Sequence, residues 1–155
     1  MKVRRWNTSI VLGTTWAILR IRTNLVKTTG PDVYGVLIDS IINSYLIQHC
    51  GYSTSSWNQI GLVANTYCDY FGAAQYPGML DVGLRVVRMG KSSIMYEVAV
   101  FQEGNEQVKA IGGFTQIWVD KASSKALKDG VPKEIKEPLG SLLKRSEQDP
   151  AVAKL

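Results

Sequence analysis

One helix-like stretch is followed by four strand-like ones, and that imbalance governs what the chain can fold into. From Val36 to His49 the apolar residues recur four apart in two rows, Leu37, Ile41, Tyr45 and Ile38, Ile42, Leu46. Asp39, Ser40, Asn43 and Ser44 occupy the opposite side. The spacing predicts a helix with one broad buried face, about 21 Å long at ~1.5 Å per residue, with Gly51 stopping it as a left-handed cap. After the polar loop YSTSSWNQ the period becomes two. IGLVANTYCDYFG, GMLDVGLRVVRMG, SSIMYEVAVFQEG and QVKAIGGFTQIWVDK then read as long strands, divided by YPG, GKS and EGNE. The tight EGNE turn makes the last two strands an antiparallel hairpin. A further strand falls within Trp16–Val26, ahead of the helix. A lone amphipathic helix must bury its apolar face, and a sheet is the partner on offer. The expected fold is therefore α+β, a curved antiparallel sheet wrapped around one central helix.

The chain divides into a basic N-terminal segment over 1–31 that includes the first strand, a main domain over 32–120, and a partly flexible C-terminal extension over 121–155. A short helix is expected near Ile135–Lys144, with polar, mobile sequence after it. At 155 residues, 45% hydrophobic and 20% charged, the composition is that of one globular domain with a single core. The formal charge of +5 is unevenly spread, since residues 1–31 carry six bases and no acid while the remainder is near neutral. A basic tip on a neutral body argues against a nucleic-acid-binding face, which needs bases along a groove. The opening MKVRRWNTSIVLGTTWAIL has a charged start and an apolar stretch but runs into Arg20 and Arg22 without a small-x-small cleavage site. No apolar stretch reaches the ~18 residues of a membrane span. The expected compartment is the cytoplasm, with a mitochondrial destination as the alternative for an arginine-bearing, acid-free start.

Cys50, Cys68 and the sole histidine, His49, match no metal-ligand spacing, so no metal site is expected. Two isolated cysteines read as small buried apolar residues. A Cys-His catalyst is disfavoured because adjacent side chains on a helix point apart. Gly112-Gly113 within a strand points to close approach by the helix or another backbone. Tyr67, Asp69 and Phe71 share one strand face.

The order of elements is similar to that of the hotdog-fold acyl-CoA thioesterases of the 4-hydroxybenzoyl-CoA thioesterase type. The residues that carry the resemblance are DVYG, IDSIINSYLI, IGLVANTYCDYF, LDVGLRVVRMGKSSIMYEVAVF and GGFTQIWVD, over roughly 32–120. The family's active-site motif runs Asp-x-Asp-x-Tyr-Gly-His-x-Asn-Asn. Asp32, Tyr34 and Gly35 match its second aspartate, tyrosine and glycine. Gly30 stands at the first aspartate, and the His-x-Asn-Asn part is missing, since VLIDS follows Gly35 directly.

The resemblance implies an acyl-CoA or other acyl thioester as substrate, with coenzyme A entering as part of it and no other cofactor. It implies Asp32 as nucleophile or general base, and a backbone N–H of Gly35 or Val36 as donor to the developing oxyanion. A helix N-terminus carries about half a positive charge, which suits both roles. Without the family, Asp32 reads first as a helix cap worth ~1 kcal/mol; with it, cap and catalyst weigh about the same, and the two roles can coexist. Asp39, one turn from Asn43 on the polar face, is the second catalytic candidate, through contact with a neighbouring subunit's pocket. Tyr34 is expected to bind substrate. Arg88, Gly90, Lys91, Ser92 and Ser93 form a hairpin tip whose cations and donors suit coenzyme A phosphates. The family further implies a homodimer or homotetramer, in keeping with an exposed strand edge. Three functions follow: an acyl-CoA thioesterase; a catalytically silent hotdog that binds acyl-CoA or acts as an oligomeric scaffold; or a hotdog lyase or dehydratase.

Overall fold

A computed structural model describes residues 17–23, 31–75 and 78–143, with the backbone alone given for β1, Pro31 and Asp32. The order is β1 (Ala17–Thr23), α1 (Pro31–Cys50), β2 (Gln59–Tyr70), β3 (Gly78–Met89), β4 (Ser93–Gln102), β5 (Val108–Asp120) and α2 (Lys133–Gly140). The strands form one antiparallel sheet in the order β1-β3-β4-β5-β2. Consecutive β3, β4 and β5 pair as a meander, while β1 and β2, flanking α1 in sequence, close the two sides.

Period two does the work expected of it. Leu80, Val82, Leu84 and Val86 of β3, Ile94, Tyr96, Val98 and Val100 of β4, and Ala110, Phe114 and Trp118 of β5 all turn inward and are buried. Against them lie Leu37, Ile38, Ile41, Ile42 and Leu46 of α1. Each such aliphatic side chain contributes roughly 1.5–3 kcal/mol on leaving water, before chain entropy is counted. The predicted curved antiparallel sheet around one helix is thus the observed fold.

Two boundaries differ from the expected ones. The helix begins at Pro31, five residues before Val36, where the sequence pattern starts it. Proline is favoured at a first helical position because its missing N–H has no partner there anyway. Gly51 ends the helix with φ +65°, and the Tyr52 N–H donates to the Leu46 carbonyl at 3.1 Å. The C-terminal extension is also less separate than its polarity suggests. Ile135, Leu139 and Leu142 are buried in the same core, and the Tyr45 hydroxyl donates to the Pro138 carbonyl at 3.3 Å. The apolar, basic opening and the polar tail beyond 143 lie outside the described residues. No helix among the described residues is long and apolar enough to cross a membrane.

Candidate active site

Gly112 brings α1 down onto the sheet. A Cβ there would come within 2.6 Å of Ile38 Cδ1 and 2.7 Å of the Tyr67 carbonyl oxygen, so the close approach needs a residue without a side chain. At Gly113 the corresponding clash would be with the Tyr96 carbonyl on β4. The glycine pair is therefore a packing device, as its place in a strand suggested.

Beside that contact the N-terminal half of α1 and the later part of β2 part to leave an open groove of about 520 Å³. Gly35, Val36 and Ile38 form one wall; Thr66, Tyr67, Cys68 and Tyr70 form the other. Val36 is 57% exposed and Tyr70 49%, so apolar surface faces solvent here. Burial pushes the Cys68 thiol above its ordinary range, which keeps it protonated at neutral pH. Tyr67 is pushed up to about 12, first by burial and then by the charge of Glu97, with Arg85 opposing. Arg85 and Glu97 are themselves ion-paired across β3 and β4.

The site residues expected from sequence are only partly brought together. Asp32 is the second residue of α1, inside the first turn rather than ahead of it. Its side chain lies outside the described residues. Gly35 and Val36 line the groove, but they are the fifth and sixth helical residues, where regular helical bonding engages the N–H. The first-turn amides that have no helical carbonyl to bond are those of Asp32 and Val33, because Pro31 has none. Tyr34 is buried, 1% exposed, with its ring edge-on to Tyr70 at 5.3 Å between centroids. Asp39 is exposed one turn beyond Gly35 and accepts from Asn43 Nδ2 at 3.0 Å.

The hairpin tip is elsewhere. Ser93 pairs with Ile117 at the end of β5 where β2 begins, whereas the groove residues of β2 pair with 110–114. Within one chain Arg88 and Lys91 therefore do not meet the groove, although both are exposed. The tip itself is pinned: the Gly90 N–H donates to the Ser93 carbonyl, the Trp118 N–H to Ser92, and the Val131 N–H to Lys91, each at 2.8 Å.

Thr66, Cys68 and Tyr70 were not among the expected site residues. Their signal was the period of two on β2, which sets these three on one face; which face looks toward the helix depends on the register with β5. Among the described residues no cluster of His, Cys, Asp and Glu is placed to hold a metal ion. His49 lies in the last turn of α1, stacked on Tyr45 at 4.5 Å, at the end of the helix remote from the groove.

A curved antiparallel sheet on one long helix, with an open groove at the start of that helix, defines a hotdog-fold protein. Residues 33–109 match the Thioesterase superfamily. The PA5185 protein of Pseudomonas aeruginosa is 31% identical, with 84% of this chain and 93% of that one covered at a TM-score of 0.78. The chain belongs to the Thioesterase superfamily. Two more distant structures share the fold. The SAV2348 protein of Staphylococcus aureus, solved in complex with CoA, is 7% identical over 92% of this chain and 94% of that one, with a TM-score of 0.72. Slr0204, a 1,4-dihydroxy-2-naphthoyl-CoA thioesterase from Synechocystis, is 13% identical over 81% and 96%, with a TM-score of 0.69. Among curated protein sequences none matches this chain.

Proposed function

We propose that this chain hydrolyses an acyl thioester, with the acyl and pantetheine arms of an acyl-CoA lying in the groove between α1 and β2. The observation that carries the reading is the groove itself, lined by Gly35, Val36 and Ile38 just past the first turn of the only long helix described, in a member of the Thioesterase superfamily. Asp32 acts as nucleophile or general base. At the positive end of α1 a carboxylate suits direct attack on the thioester carbon or activation of a water. The amides of Asp32 and Val33 donate to the oxyanion that forms at the thioester carbon. The reaction draws on no cofactor, since coenzyme A arrives with the substrate. CoA binding in the SAV2348 structure supports the substrate class.

A homodimer completes the arrangement. β2 closes one side of the sheet and carries exposed Leu62, Val63, Tyr67 and Tyr70, with Phe71 just beyond. Pairing of two such edges would cover this apolar strand. Arg88, Lys91, Ser92 and Ser93 hold coenzyme A phosphates for a groove other than that of their own chain, and Asp39 meets the neighbouring subunit. The cytoplasm is the compartment proposed for this activity.

A second reading, a silent hotdog that binds acyl-CoA, is favoured by one observation. The helix starts at Pro31, inside the motif, and the sequence has no His-x-Asn-Asn segment to position water or thioester. Thiol release from short, long and aromatic acyl-CoAs, compared with Asp32→Asn at equal folding, decides between them. Turnover reduced at least ~100-fold in the variant supports catalysis by Asp32. Release from neither protein, with CoA still bound, supports the silent reading.

A further inference from the structure

Tyr34 carries a hydroxyl that the fold does not use. The oxygen is fully enclosed and has no hydrogen-bond partner among the described residues. A phenol in the core normally finds one, because an orphaned donor forfeits its bonds to water without replacement. Trp118 Nε1 is orphaned too, but it lies beneath Tyr52 at the opposite end of α1, away from the groove. Tyr34 instead sits directly behind the groove wall, its ring against the ring of Tyr70. Tyr70 is half exposed and itself lines the open space. Turning Tyr70 aside exchanges its hydrogen bond with the Cys68 side chain and its edge contact with Tyr34 for contacts with the ligand, and rotation of an exposed side chain is fast.

Resting on the thioester reading above, we infer that Tyr34 is a specificity-determining donor. When Tyr70 turns aside, the Tyr34 hydroxyl donates a hydrogen bond to an oxygen acceptor carried by the acyl chain. The groove then selects acyl thioesters bearing a hydroxyl or carbonyl along the chain over their hydrocarbon counterparts. The acceptor is not the thioester carbonyl. Asp32 and Val33, whose amides face that oxygen, immediately precede Tyr34, and the tyrosine ring carries its hydroxyl a full side-chain length inward from there. A site with a buried donor discriminates strongly against a ligand that leaves the donor unpaired, because the orphan persists in the complex.

The test uses the full chain and matched probes, hexanoyl-CoA with its 3-, 4- and 5-hydroxy counterparts. Thiol release gives the ratio of kcat/KM for each hydroxylated probe to hexanoyl-CoA. Calorimetry with the corresponding non-hydrolysable thioethers gives the ratio of affinities. The expected result is a preference of about tenfold or more for at least one hydroxylated chain, collapsing toward unity in Tyr34→Phe. That variant keeps the ring and its contact with Tyr70, and its melting temperature should be unchanged or higher. No preference in the wild type, or the same preference in both proteins, overturns the inference. If no probe releases thiol, the thioesterase reading falls, and the affinity ratios decide the role of Tyr34 alone. A preference lost in Tyr34→Phe upholds it, and equal affinities sink it. Should Tyr34→Phe fail to fold, Tyr70→Trp is expected to erase the same preference by blocking access, and its survival there is equally fatal.

Discussion

Gly112 of β5 lies directly under Ile38 of α1, closer than any side chain would permit. The groove exists because of this contact: Ile38 is held low on the sheet while Gly35 and Val36, less than one turn earlier, remain open to solvent.

Gly112→Ala is therefore expected to destabilise the fold by about 1–3 kcal/mol. The new methyl meets both a movable Ile38 terminus and the Tyr67 backbone carbonyl, and the latter cannot step aside without disturbing the β2–β5 ladder. Urea denaturation reads the cost. Ile38→Val in the same background should recover part of it by removing the methyl that faces Gly112. A Gly112→Ala protein as stable as the wild type would show that the contact is not limiting.

Much of this was legible beforehand. The two apolar rows of α1 and the alternation in β3, β4 and β5 give the layers, because each period assigns a face whatever the partner. The glycine pair announced a close approach. The site was less legible. Where α1 begins is set by Pro31 rather than by the apolar rows, which puts Asp32 and Val33 in the first turn and Gly35 and Val36 beyond it. The β2 wall was missed because the alternation on β2 leaves open which face meets the helix: every residue of that strand is exposed or half exposed, and only its register with β5 decides. The hairpin tip looked like part of the site, yet the strand register separates it from the groove of its own chain.

Alkaline pH should weaken the fold in a defined window. Burial pushes the Cys50 thiol from 9.0 to about 11, and Tyr67 rises from 10.0 to about 12. Tyr96, Tyr45 and Tyr52 are shifted the same way by burial. Each group holds its proton more tightly when folded, so its contribution is complete below the unfolded value and disappears as pH rises through the folded one. The urea midpoint is expected to be flat from pH 7 to about 9 and to fall between roughly 9 and 12. For Cys50 the loss is on the order of 2 kcal/mol. Cys50→Ala should flatten the lower part of that fall, between about pH 9 and 11. A slope unchanged in the variant would remove Cys50 from the account.

The last prediction concerns the free side of β2. Leu62 and Val63 are exposed apolar residues on a strand whose outer edge pairs with no other strand among the described residues, next to the irregularity between Val63 and Asn65. A long edge of this kind invites pairing with another chain unless charge or proline blunts it, and QIGLVANTYCDY has neither before Asp69. Two copies meeting there would bury Leu62 against the partner strand, and a lysine at that position would place two like charges across a short distance. Leu62→Lys is thus expected to convert a dimer into a monomer at tens of micromolar, with the melting temperature of the isolated fold little changed, as read by light scattering after gel filtration. Loss of thiol release alongside dissociation would mean that the groove works only in the assembly, as expected if the hairpin tip of one subunit serves another. A Leu62→Lys protein that remains a dimer would move the interface to another face, with the stripe of Val36, Asp39 and Asn43 on α1 the next to be charged and measured.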